Sequence, residues 1–154
     1  MNKNPDTNVI KELKKLYLAK DYVQAKKRLV TLVKSYPDSS QLLSMLAVIF
    51  HNQGDFDEAI KYYEKSIKID PKNSDTLNNF GSTLCKKHKF EDGLSYFEKA
   101  LEQKSDHTLA LENAGIAAMH IKKFQLAINY FSKLLTLDPG NVIATFKLAS
   151  CYFT

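Results

Sequence analysis

Large, small and turn-forming residues recur along this chain with a period of 34. Pro37, Pro71 and Pro139 fall on one grid, with Ser105 standing at the missing place. Tyr22, Phe56, Phe90 and Phe124 form a second column, Ala25, Ala59, Gly93 and Ala127 a third, and Leu29, Tyr63, Phe97 and Phe131 a fourth. Four columns in phase are the mark of stacked structural repeats. Each repeat reads as helix–turn–helix. The aromatic column opens each second helix and seals the turn before it. The proline column ends that helix, because proline cannot continue an amide ladder beyond a first turn. Small residues at the eighth and twentieth positions let the two helices approach closely. Asp55 with Glu58 resembles a capping box, and Gly54 suits a left-handed residue closing the preceding helix.

The repeats read as 6–39, 40–73, 74–107 and 108–141, with a partial fifth at 142–154 and a terminal tail at 1–5. The second carries Leu43, Leu46, Ala47, Phe50, Ala59, Tyr63 and Pro71; the third Leu77, Phe80, Gly81, Leu84, Gly93 and Phe97; the fourth Leu111, Ala114, Gly115, Ala118, Ala127, Phe131 and Pro139. In the first, Glu12 and Leu13 replace the usual large–small pair. This order of large, small and proline positions resembles the tetratricopeptide repeat. The resemblance implies an all-α fold, a right-handed superhelical solenoid of antiparallel helix–turn–helix repeats, with roughly nine helices in one array. Leu148, Ala149, Tyr152 and Phe153 would pack on a following helix, so either further chain or a partner is expected to cover that edge, self-association included.

Charge is uneven. Residues 1–36 carry eight Lys and one Arg against three acids, a balance of +6 out of +5 for the whole chain. A basic end invites a nucleic-acid or anionic-membrane reading. Arg28 is the only arginine, and arginine is the preferred bidentate phosphate ligand, so a solvated outer face is the expectation and nucleic acid is not. No apolar run is long enough for a membrane span, and the N-terminal stretch has no apolar segment behind its charges. Cys85 and Cys151 fall two repeats apart, too far for a disulfide, and are expected to be free packing groups.

No catalytic or metal-binding spacing appears. His51, His88, His107 and His120 are expected to be exposed and near turns, with His51 and His120 able to face a groove. No cofactor and no small-molecule substrate are expected, and the chain is read as a binder of a protein or extended peptide rather than an enzyme.

First helices line the inner, concave side of such a solenoid. Helical periodicity places on it Ser44, Met45, Val48 and His51; then Asp75, Asn78, Asn79, Ser82 and Cys85; then Leu109, Glu112, Asn113, Ile116 and Met119; and Phe146, Lys147 and Ser150 in the partial repeat. The partner-binding set is Ser44, Val48, Asn78, Asn79, Ser82, Glu112, Asn113, Ile116, Met119, Phe146 and Lys147. Asn79 and Asn113 hold the same position in adjacent repeats, and each amide offers a donor and an acceptor. They can grip a peptide backbone, or they can cap or cross-link neighbouring helices. The two-carboxylate clamp of chaperone-binding members is matched at no more than two of five places in either frame, Ser44, Val48, Asn79, Leu109 and Asn113 or Asn78, Ser82, Asn113, Ile143 and Lys147. That points away from chaperone tails as ligands.

Two segments, 77–101 and 110–139, resemble the bacterial type IV pilus biogenesis and stability lipoproteins more narrowly. Asn78, Asn79, Gly81, Cys85, Glu112, Asn113 and Gly115 fall on that family's motif positions. The stretch Glu102-Gln103-Lys104-Ser105 keeps the strict period where that family inserts residues, and the lipoprotein signal is not in this sequence. The resemblance implies a pilus assembly factor held at the outer membrane by a lipid anchor, on the periplasmic side; the chain as written, without a signal, reads as cytoplasmic. The alternative reading is the repeat arm of a larger enzyme such as a sulfotransferase or glycosyltransferase.

Overall fold

The computed structural model describes residues 5–153. Most of the expected tail at 1–5, and Thr154 of the partial repeat, lie outside the described residues. Among those described, nine helices follow one another: α1 Thr7–Leu18, α2 Tyr22–Ser35, α3 Ser40–Asn52, α4 Phe56–Ile69, α5 Ser74–Lys86, α6 Phe90–Gln103, α7 Thr108–His120, α8 Phe124–Leu137 and α9 Val142–Tyr152. Every second helix starts on the aromatic column and has 14 residues. α6 keeps that length although Ser105 stands where the other repeats have proline. Proline therefore marks the helix end without being required to make it.

The turns show what sequence reading caught only once. Gly54 closes α3 at φ +79°, as expected. The same grid position holds Lys20, His88 and Lys122, and these adopt φ of 57°, 60° and 59°. A side chain in this left-handed region is strained, so packing of the helices enforces the turn where the residue does not favour it. The capping box at α4 is half made. The Asp55 carboxylate accepts from the Glu58 amide, but the Glu58 carboxylate turns to Lys61, 3.1 Å away.

The chain divides into two compact units, 1–71 and 72–154, with the division two residues ahead of α5. In the first unit, α1 to α4 pack in sequence around Leu13, Ala25, Leu29, Leu46, Ala47, Ala59 and Tyr63, all almost wholly buried. The Ser66 hydroxyl donates to the Ser40 carbonyl and ties α4 back to the start of α3. In the second unit, α5 to α9 build a core from Leu94, Phe97, Ala114 and Ala117, continued by Leu111, Ala118, Ala127, Phe131, Leu134, Ala144 and Cys151. The small column has a visible reason here. A Cβ on Gly81 would lie 2.7 Å from the Phe97 ring, and one on Gly115 would lie 2.6 Å from that of Phe131.

Candidate partner-binding face

α5 and α7 pack side by side, and α7 packs in turn beside α9. α5 presents Asn78, Asn79 and Ser82; α7 presents Glu112, Asn113, Ile116 and Met119. The asparagines are joined. The Asn113 side-chain amide donates to the Asn78 carbonyl oxygen at 3.0 Å, and the Asn78 amide donates to the Asn79 carbonyl oxygen at 3.4 Å. Asn78 is buried and acts as the link between the two helices, while Asn79 and Asn113 are half-buried. The cross-linking alternative is thus realised at Asn78. The relay also sets the polarity of its ends: among the described residues, the Asn79 amide hydrogens and the Asn113 carbonyl oxygen keep no partner.

Beside Asn113 lies a recess of about 360 Å³, lined by Ser82, Cys85 and Lys86 of α5, His88 of the turn, Phe90 and Phe97 of α6, and Asn113, Ile116, Ala117 and His120 of α7. His120 stacks flat on Phe90, with ring centroids 4.1 Å apart. Burial pushes the Cys85 thiol up to about 11, and its sulfur packs against Gly93. It is a neutral packing group at physiological pH, in keeping with the free cysteines found at both positions.

Of the residues expected to bind a partner, Ser82, Asn113 and Ile116 meet at this recess, with Asn79 held to it through Asn78. Glu112 and Met119 are half-buried on α7, Met119 packing toward the core. Ser44 and Val48 lie half-buried on α3 in the first unit. On α9, Phe146 is exposed and Lys147 half-buried. Tyr152 and Phe153 are also exposed, whereas Leu148 packs on the core. Sequence reading missed Phe90 and Phe97 as lining, because their columns were assigned to the turn and the seam.

Two histidines depart from expectation, and the first, His51, is half-buried with its ring edge-on to Phe56. His107 is buried, not exposed. Its Nδ1 accepts from the Ala110 amide at the start of α7, and its Nε2 lies 3.0 Å from the Asp75 carboxylate. The grid gives the reason: Asn73 and Asn141 cap α5 and α9 at the same position. Among the described residues, no group of three or more His, Cys, Asp or Glu is placed to hold a metal ion, and no helix is long and apolar enough to cross a membrane.

Antiparallel hairpins in a 34-residue register, two of them joined by a polar relay between α5 and α7, define a helical-hairpin repeat protein. Family models of the tetratricopeptide repeat match residues 15–39, 40–73, 62–94 and 79–142, and the chain belongs to that family. Repeats of this family are in general interaction modules rather than catalysts. The fold is similar to that of Pseudomonas aeruginosa pilF, at 24% identity over 95% of this chain and 67% of that one, with a TM-score of 0.87. It is similar to YrrB, described as a TPR protein with an unusual peptide-binding site, at 18% identity over 99% and 78% of the two chains and a TM-score of 0.82. It is also similar to the first TPR of Spaghetti (RPAP3) bound to the HSP90 peptide SRMEEVD, at 27% identity over 74% and 90% and a TM-score of 0.72. The comparison with curated proteins finds no match.

Proposed function

We propose that the chain is a protein-interaction scaffold whose second unit holds an extended segment of a partner across α5 and α7. The observation that carries this reading is the asparagine relay. It leaves one free donor at Asn79 and one free acceptor at Asn113, the pair that a peptide carbonyl and a peptide N–H satisfy without any reading of side chains. Peptide binding by the structurally similar YrrB and RPAP3 repeats supports the reading. Ser82 and Ile116, with the adjoining recess, supply room for a side chain of the bound segment. The test is affinity capture from the source cell, wild type beside Asn79→Ala, which leaves the Asn113–Asn78 bond in place, after both are shown to be folded with equal helicity at the assay temperature. A partner retained by the wild type and lost by the variant supports the reading; equal retention moves binding off this face.

The finer reading is a role in type IV pilus assembly. It is supported by the motif resemblance over 77–101 and 110–139. Capture of a secretin or pilus component by the same face is the expected outcome, and its absence from a partner set that the asparagine variant does lose removes the pilus role while leaving the scaffold.

A further inference from the structure

The first hairpin carries a feature that the other three lack. Leu18 ends α1 and Val23 stands in the first turn of α2, so both lie at the turn end of the hairpin, and they are 79% and 76% exposed. The places equivalent to Leu18 in the later repeats are Asn52, Lys86 and His120; those equivalent to Val23 are Asp57, Glu91 and Gln125. All six are exposed as well. The repeat therefore directs these two positions to solvent in every hairpin and fills them with polar residues everywhere except here. One turn along α1 from Leu18 stand Lys14 and Lys15, and two turns along stands Lys11. One turn along α2 from Val23 stands Lys27, with half-exposed Val30 between it and Lys34. Lys20 occupies the turn itself in the left-handed conformation. Arg28 is neutralised by Glu12 and Lys26 is engaged with Gln53 and Phe50, but the ammonium groups of Lys11, Lys14, Lys15, Lys20 and Lys27 have no ionic partner among the described residues. Within this hairpin the one acid at the turn end, Asp21, caps α2 through the Gln24 amide, and the next hairpin carries Asp55 and Asp57 at its own turn end.

We propose that the turn end of the α1–α2 hairpin docks on an anionic lipid surface, Leu18 and Val23 entering the acyl boundary while the lysines meet the headgroups. The spacing favours a bilayer over an acidic protein. The apolar pair stands at the turn end of the hairpin rather than in a groove, with Lys20 in the turn between them and the helix cations one turn, about 5.4 Å, behind. That offset matches the roughly 5–10 Å to which interfacial segments enter the headgroup–acyl boundary, and the long lysine stems reach outward from there. The inference is independent of the asparagine face.

The test uses the full chain and vesicles of phosphatidylcholine alone or mixed with phosphatidylglycerol. The chain has no tryptophan, so Leu18→Trp is a single reporter. Its emission is expected to shift to the blue with anionic vesicles at low salt and to stay unchanged with neutral ones. Leu18→Asn/Val23→Gln installs the residues that the second and fourth repeats carry and so preserves the fold. It is expected to lower partition at least about tenfold, since each buried methylene counts for ~0.8 kcal/mol. Absence of any blue shift, or equal partition of wild type and the double variant, overturns the proposal, and the second result reduces the contact to electrostatic adsorption of the lysines without insertion.

Discussion

Asn113 on α7 donates its side-chain amide to the carbonyl of Asn78 on α5, 3.0 Å away, and this bond separates structural from binding roles within one cluster of asparagines. Asn78 is buried and bonded at both ends of its amide. Asn78→Leu leaves the Asn113 amide without its acceptor, and a loss of about 1–3 kcal/mol is expected. Asn79→Ala removes only the longer, 3.4 Å bond from the Asn78 amide and is expected to cost less than that while weakening partner binding. Denaturant titration of both variants alongside partner capture distinguishes the two. An equal stability loss at both positions contradicts the division.

The glycine column is set by aromatic rings. Gly81→Ala places a Cβ 2.7 Å from the Phe97 ring and 2.8 Å from the Gly93 carbonyl, and a backbone carbonyl does not yield freely. Overpacking of this kind costs roughly 1–3 kcal/mol. Thermal melting is expected to show a fall for Gly81→Ala and a similar one for Gly115→Ala against Phe131.

The turn column offers the opposite experiment. Lys122 is held at φ 59° with a full side chain. Lys122→Gly removes that strain and is expected to stabilise the chain by about 1 kcal/mol, read as a raised melting temperature. Gly54→Ala, at φ 79°, is expected to lose a similar amount.

His107 serves as a helix cap. His107→Asn, the residue that caps α5 and α9 at the same register, is expected to melt with the wild type. His107→Ala removes the acceptor for the Ala110 amide and is expected to lose about 1 kcal/mol.

Burial raises the Cys85 thiol from an ordinary value of 9.0 to about 11. Below pH 9 the thiol is neutral in folded and unfolded chains alike, and its contribution is complete. Between about 9 and 11 the unfolded chain ionises while the folded one resists, so stability is expected to fall as pH rises through that window. Cys85→Ala is expected to flatten this part of the pH–stability curve. At pH 8, alkylation of the folded chain by iodoacetamide is expected to run at least about tenfold slower than that of free cysteine, because the thiolate is the nucleophile.

The helices were legible because each column carries a physical instruction. Tyr22, Phe56, Phe90 and Phe124 open the second helices where the spacing placed them. The site was only half legible. Periodicity puts Asn78 on the inward side of α5, but only three dimensions reveal that this position lies beneath its neighbour and is closed off, while Asn79 stays within reach. His107 hid for a different reason: histidine is a rare cap, and its grid companions Asn73 and Asn141 were the available clue. Lys20, His88 and Lys122 gave no sign of a left-handed turn in their chemistry. Their alignment with Gly54 was the signal.

The left-handed turns also bear on the order in which the hairpins form. A hairpin that starts alone must close its turn before distant packing can help. Gly54 closes the second hairpin at ease, whereas Lys20, His88 and Lys122 each oppose closure until surrounding helices hold them. The α3–α4 turn is thus the one expected to close at the smallest local cost. The one glycine among four turns makes the second hairpin the one that leans least on its neighbours for closure.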